Sequence, residues 1–260
     1  GLTYDEAMTI RVTNVNERPT DLALSASRVA ENARTGTVVG RVTGTDVDAG
    51  DTKTYSLTNT AGGRFAIHAS TGVLTVANGS LLNYESAPSH SVTVRVTDRG
   101  GLTYDEAMTI RVTNVNERPT DLALSASRVA ENARTGTVVG RVTGTDVDAG
   151  DTKTYSLTNT AGGRFAIHAS TGVLTVANGS LLNYESAPSH SVTVRVTDRG
   201  GLTYDEAMTI RVTNVNERPT DLALSASRVA ENARTGTVVG RVTGTDVDAG
   251  DTKTYSLTNT

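Results

Sequence analysis

Cysteine and tryptophan are absent from the 260 residues, and phenylalanine occurs twice. Without thiols the chain can form neither disulfides nor thiolate metal sites, and its redox compartment stays open. No apolar run approaches the roughly 18 residues needed to cross a bilayer, so no membrane insertion by this segment is expected. No signal-peptide pattern opens the chain, which reads as an internal piece of something longer. No Arg-rich stripe stands out. With 24 Lys/Arg against 28 Asp/Glu and a net charge of −4, nucleic acid is an unsuitable partner. Catalytic signatures are missing too. Each whole period holds two histidines, His168 and His190 in the second, and neither sits in H-E-x-x-H or H-x-x-E-H. With no G-x-S-x-G elbow and no P-loop, the chain is not expected to be an enzyme.

What is there is repetition. Residues 1–100 and 101–200 are identical, and 201–260 repeats 1–60. A period of this length far exceeds a solenoid unit of about 20–50 residues, so each period is expected to fold as its own domain. Identity to the letter points to recent duplication, homogenisation or an engineered array, and does not separate them. Proline after a polar cluster marks boundaries at Pro19, Pro119 and Pro219. The expected division is 1–18 as the C-terminal strand of a preceding truncated repeat, 19–118 and 119–218 as whole repeats, and 219–260 as the front of a following one.

Within a period, alternation of apolar and polar residues dominates. "SVTVRVTD" sets Val192, Val194 and Val196 on one face, and "EAMTIRVTN" does the same with Met208, Ile210 and Val212. Five further stretches, at 121–126, 136–144, 152–158, 164–168 and 172–177, read as strands between Gly, Asn, Asp and Ser clusters. Seven short strands describe an all-β, two-sheet sandwich. An odd number of antiparallel traverses puts the termini at opposite poles, so tandem copies should run end to end, each adding about 40 Å.

Acidic and amide oxygens gather at the strand ends. "VAEN" places Glu131 near the second strand, and "LLNYES" places Asn183 and Glu185 in a turn. "TGTDVDAGD" supplies Asp146, Asp148 and Asp151, "VTDRGG" supplies Asp198, and "TNVNERPT" recurs at 13–20, 113–120 and 213–220. Each motif alone has an ordinary reading as an Asx-turn or strand edge. Together they offer hard oxygen ligands on loops turned by glycine, which suits Ca²⁺ with its six to eight oxygens better than Mg²⁺.

In order and approximate spacing, these motifs resemble the cadherin-type repeat, particularly the form common in large bacterial surface proteins, and the likeness spans the whole period. The resemblance implies a seven-stranded Greek-key sandwich and interdomain Ca²⁺. Carried over by position, the middle junction would use Glu31, Asn83, Glu85, Asn114, Asn116 (through its carbonyl), Glu117, Asp146, Asp148 and Asp198. The third would use Glu131, Asn183, Glu185, Asn214, Asn216, Glu217, Asp246 and Asp248, and the first keeps Asn14, Asn16, Glu17, Asp46, Asp48 and Asp98. Asn83 and Asn114 stand where the family has aspartate, so fewer anionic ligands remain, and about two or three ions per junction are expected. A carbonyl near Gly150 or Asp151 is expected to complete the shell.

The resemblance further implies an extracellular, cell-surface extender segment of a bacterial adhesin. Its partners would be neighbouring repeats of the same chain and a cell-surface or matrix target bound by other domains. The alternative is a direct binding module, gripping glycans or making a homophilic adhesion contact. Tyr104, Tyr155 and Tyr184 are the only tyrosines in the 101–200 period, and Tyr104 is the expected exposed one. "ANGS" at 77–80 and 177–180 matches an N-glycosylation sequon, which in a bacterial chain reads as a turn.

Overall fold

The computed structural model describes residues 1–259, which divide into two compact units, 1–116 and 117–259. The first contains β1 (Asp21–Leu24), β2 (Arg28–Ala30), β3 (Val38–Thr45), β4 (Thr54–Asn59), β5 (Phe65–Ile67), β6 (Val73–Val76), β7 (Ser89–Thr97) and β8 (Thr103–Thr113). The second repeats this order as β9 (Asp121–Leu124), β10 (Arg128–Ala130), β11 (Val138–Thr145), β12 (Thr154–Asn159), β13 (Phe165–Ile167), β14 (Val173–Val176), β15 (Ser189–Thr197) and β16 (Thr203–Thr213). It continues with β17 (Asp221–Leu224) and β18 (Val242–Thr245).

Each repeat is a sandwich of two four-stranded sheets, ordered β1-β3-β6-β5 and β2-β8-β7-β4 in the first. Alternation puts every second side chain inward. Val92, Val94 and Val96 of β7, with Ile110 and Val112 of β8, face Val42, Leu74 and Val76 across a core that also holds Phe65. The same residues a period later fill the second core.

The structure has one strand per repeat more than the sequence pattern suggests. β1 lies antiparallel to β3, whereas β2, three residues further on, runs parallel to β8. The switch occurs at Ser25–Ser27: the Ser25 amide still donates to Arg41 of β3, while the Ser27 carbonyl accepts from the Arg111 amide of β8. Gly40 allows it, because a Cβ there would lie 2.4 Å from the Ala26 carbonyl oxygen. A three-residue strand carries too little alternation to be legible in sequence. Its parallel pairing makes the first and last strands of the sandwich run the same way, as expected for a chain entering and leaving at opposite ends.

Two other expectations are corrected. Residues 3–13 have the sequence of β8 yet form no strand, and no strand is found in 1–18. Met8 and Ile10 are 84% and 88% exposed, against 8% and 0% for Met108 and Ile110. The cause is pairing: β8 is laddered to β7, the segment just before it, over most of its length and to β2 at its end, and residues 3–13 have no such neighbours. Tyr104 packs against the core, and Tyr84 and Tyr184 are the tyrosines exposed in the whole repeats. In 219–259, β17 and β18 keep the register of β9 and β11, but Leu222 is 66% exposed where Leu122 is 4%. The second sheet that covers Leu122 is not formed there.

A histidine lies at the edge of each core. His190 packs against Phe165 with ring centroids 6.3 Å apart, and its buried Nε2 has no hydrogen-bond partner. Burial, and then the Arg164 guanidinium, hold its pKa below the ordinary 6.5; His90 is shifted the same way beside Arg64. A histidine with a depressed folded-state pKa stabilises the fold above the unfolded value, and that contribution is lost as pH falls through 6.5 toward the folded value. Melting between about pH 7 and pH 5 should therefore show a falling midpoint that is smaller in the His90→Gln/His190→Gln variant. Equal slopes in the two proteins would contradict this.

Candidate metal centre

The centre is most fully assembled in the second unit, where β10, the loop after residue 181, the segment after β16 and the loop after β18 converge. Glu131 follows β10 directly and is only 2% exposed. Its Oε1 accepts from the Val215 amide at 2.7 Å and its Oε2 from the Tyr184 amide at 2.9 Å. A buried carboxylate held by two backbone N–H groups is fixed in direction. Glu31 has the same two bonds, from Val115 and Tyr84.

Glu185 and Glu217 join it, with one oxygen from each of Glu131, Glu185 and Glu217 lying within 4.8 Å of the others. The Asn132 side chain donates to Glu217 Oε1, and the Glu217 amide donates to Asp248 Oδ2 at 2.8 Å. Glu217 Oε2 and Asp248 Oδ1 are buried without any hydrogen-bond donor. Burial, followed by the charges of Glu131, Asp248 and Glu185, pushes the Glu217 carboxyl above its ordinary range.

A second trio forms at the DVDAGD loop. Carboxylate oxygens of Asp46, Asp51 and Asp98 lie within 4.8 Å of one another, and Asp146, Asp151 and Asp198 do the same. Asp46 Oδ1 accepts from the Asp48 amide, which is an ordinary Asx-turn, but its Oδ2 is buried with no donor. Asp146 and Asp246 repeat both features. Asp98 and Asp198, each 5% exposed, accept from the amides of Leu102 and Leu202.

In the first unit Asn14 Nδ2 donates to Asp48 Oδ1, Asn16 Nδ2 donates to Asp98 Oδ2, and the Glu17 amide donates to Asp48 Oδ2. The Asn14 side chain, and then the Glu17 amide, hold Asp48 below the usual carboxylate range. In the second unit the Glu117 amide donates to Asp148 Oδ2 at 2.9 Å, the contact made by Glu217 a period later. Asn114 and Asn214 follow directly after β8 and β16, and Asn116 and Asn216 stand beside Glu117 and Glu217.

Two positions make contacts that the sequence did not suggest. Asn83 and Asn183 direct their Oδ1 at the amides of Ser86 and Ser186, each 2.7 Å away. They brace the turn that presents Glu85 and Glu185. Near Gly150 the sequence suggested a carbonyl ligand, but the Asp151 carboxylate is what reaches the cluster. It is tied by the Arg199 and Thr152 amides after Gly150, at φ +80°, turns the chain back. A third aspartate five residues after the first, preceded by glycine, was the available signal.

The donor set fits a hard divalent cation. All ligand atoms are oxygen, and among the described residues the salt bridges are Arg95–Asp105 and Arg195–Asp205, neither of which uses a cluster carboxylate. Burying carboxylate oxygens without donor or cation is costly, and a metal ion removes that cost. Ca²⁺ accepts such a many-oxygen, irregular shell more readily than Mg²⁺.

A cadherin domain family model matches residues 25–113 and 125–213. Human Cadherin-23 is 32% identical over 247 residues, covering 89% of this chain and 7% of its own length. Bovine Cadherin-18 is 30% identical over 273 residues, covering 95% of this chain and 34% of its own. The chain thus spans a small part of these relatives. Among solved structures, mouse Cadherin-23 EC22-24 superposes with a TM-score of 0.63 at 25% identity, covering 85% of this chain and 74% of that one. The protocadherin GammaB4 extracellular domain gives 0.66 at 25% identity, covering 92% and 39%. These relatives are animal proteins, and nothing in them points to the bacterial form the motifs resemble. With both whole repeats matched by the domain model, the chain belongs to the cadherin family.

Proposed function

We propose that this chain is a calcium-stiffened extender segment of a cell-surface adhesion protein, working mechanically outside the cell. The observation that carries it is the gathering of Glu131, Glu185, Glu217 and Asp248 around buried oxygens that have no donor. Without metal these charges repel across a few ångströms, which favours a mobile joint. Calcium neutralises them and ties a repeat, its linker and the next repeat to one set of ions. Millimolar calcium fills sites of this kind and resting cytosolic levels do not, which supports an extracellular location. Identical copies suit a spacer, because reach grows with copy number while a target can be bound by other domains.

One feature supports the second reading, a direct binding module. A groove of about 270 Å³ in the first unit is lined by Arg28, Tyr84, Arg111, Val112, Thr113 and Asn114, with Tyr84 exposed as a stacking surface. Binding of acidic sugars that survives calcium removal, and is lost in Tyr84→Ala, would favour it.

Calcium removal tests the main reading. Ligand at a hundred times its dissociation constant stabilises by about 2.7 kcal/mol per site. For a domain of this size that is a midpoint shift on the order of 10 °C, seen on adding calcium after chelation. Small-angle scattering should show a longer, narrower distance distribution in calcium than in chelator; identical melting and scattering would exclude the reading.

Glu217→Gln separates repulsion from metal binding. Since ionised Glu217 is disfavoured by its neighbours, the neutral amide should match or slightly raise the metal-free melting point while reducing the gain from calcium. A lower metal-free midpoint with an undiminished calcium gain would contradict the assignment.

A further inference from the structure

The sequon has a geometry that the mechanical reading does not use. Asn78 and Asn178 are exposed and precede the single 3-10 turns Gly79–Leu81 and Gly179–Leu181. Asn78 Oδ1 accepts from the Ser80 amide at 3.1 Å and from the Ser80 hydroxyl at 2.8 Å. Asn178 makes both bonds at the same distances with Ser180. The side-chain nitrogen, Nδ2, donates to no protein group among the described residues.

Two of the three sequon residues are explained by the fold alone. Asn78 caps the turn through its oxygen. Gly79 is required by packing, because a Cβ there would sit 1.7 Å from the Ala33 carbonyl oxygen, and Gly179 meets Ala133 in the same way. The hydroxyl at position 80 is different. Ser80 is exposed, its amide is capped whatever its side chain, and among the described residues its hydroxyl hydrogen-bonds only to Asn78 Oδ1. The turn does not need that hydroxyl, whereas the acceptor pattern Asn-x-Ser/Thr does.

We propose that Asn78 and Asn178 are N-glycosylation acceptors, each taking an oligosaccharide on Nδ2 when the chain passes through a secretory compartment that holds an oligosaccharyl transferase. This rests on the extracellular placement proposed above. In the transfer, Nδ2 attacks the anomeric carbon of an oligosaccharide carried on a lipid pyrophosphate. The carbon–nitrogen bond forms, the carbon–oxygen bond to pyrophosphate breaks, and the lipid pyrophosphate leaves with the electron pair. One Nδ2 proton passes to a base of the transferase. Only the nitrogen is modified, so Oδ1 continues to cap the turn and the folded repeat accommodates the product without losing a hydrogen bond. The sugar stands on an exposed turn, and Gly79 beneath it faces Ala33.

The test is secretion of the 260-residue chain from a eukaryotic host with a cleavable leader, followed by peptide mass spectrometry before and after peptide-N-glycosidase. The expected result is glycan on both asparagines, each converted to aspartate on enzymatic removal. Ser80→Ala/Ser180→Ala should be secreted and melt like the parent but carry no glycan, and Ser80→Thr/Ser180→Thr should keep it. A secreted, cooperatively melting parent with unmodified Asn78 and Asn178 overturns the proposal, as does glycan that persists in the alanine variant. Calcium-dependent melting of the same samples reports separately on the stiffening, so either idea can fail alone.

Discussion

Carboxylate oxygens held close together are the constraint around which the ends of each repeat are built. Elsewhere the protein pairs its acids in the ordinary way: Arg195 makes a two-pronged contact with Asp205 on the open face of a sheet. At the repeat ends it places Glu131 in the interior, fixes it with two backbone amides, and brings Glu185 and Glu217 beside it. Such an arrangement is unfavourable as a set of bare anions, and the shift of Glu217 expresses that cost. A divalent ion would make it favourable.

The sandwich supplies rigid anchors for this. Glu131 and Asp198 sit where β10 and β15 end, so their backbone positions are set by strands whose inner faces are fully buried. The linker glutamates reach the DVDAGD loops through amide-to-carboxylate bonds, Glu117 to Asp148 and, a period later, Glu217 to Asp248. The linker therefore contributes both charge and main-chain donors. Pro119 and Pro219, just beyond, restrict the chain there without adding a donor of their own.

Much of this was legible because its signals are local. Alternating valines marked β7 and β15, and oxygen-rich loops marked the metal region. What escaped depended on tertiary neighbours. β2 and β10 are three residues long and exist because β8 and β16 offer them a parallel edge. Residues 3–13 have a strand sequence and no partner, so pattern alone was insufficient. Asp151 reaches the cluster because a glycine turns the chain and the Arg199 amide holds it, a contact 48 residues away in sequence. Asn183 braces a turn through its Oδ1, a role that only the direction of its oxygen reveals.

The central claim is that these oxygens hold calcium. Diffraction from crystals grown in calcium, with anomalous differences used to locate the ions, tests it most directly. The account predicts ions between Glu131, Glu185, Glu217 and Asp248, at about 2.3–2.6 Å from their oxygens. Ordered water alone at that position in ample calcium, with the carboxylates turned outward, would contradict it.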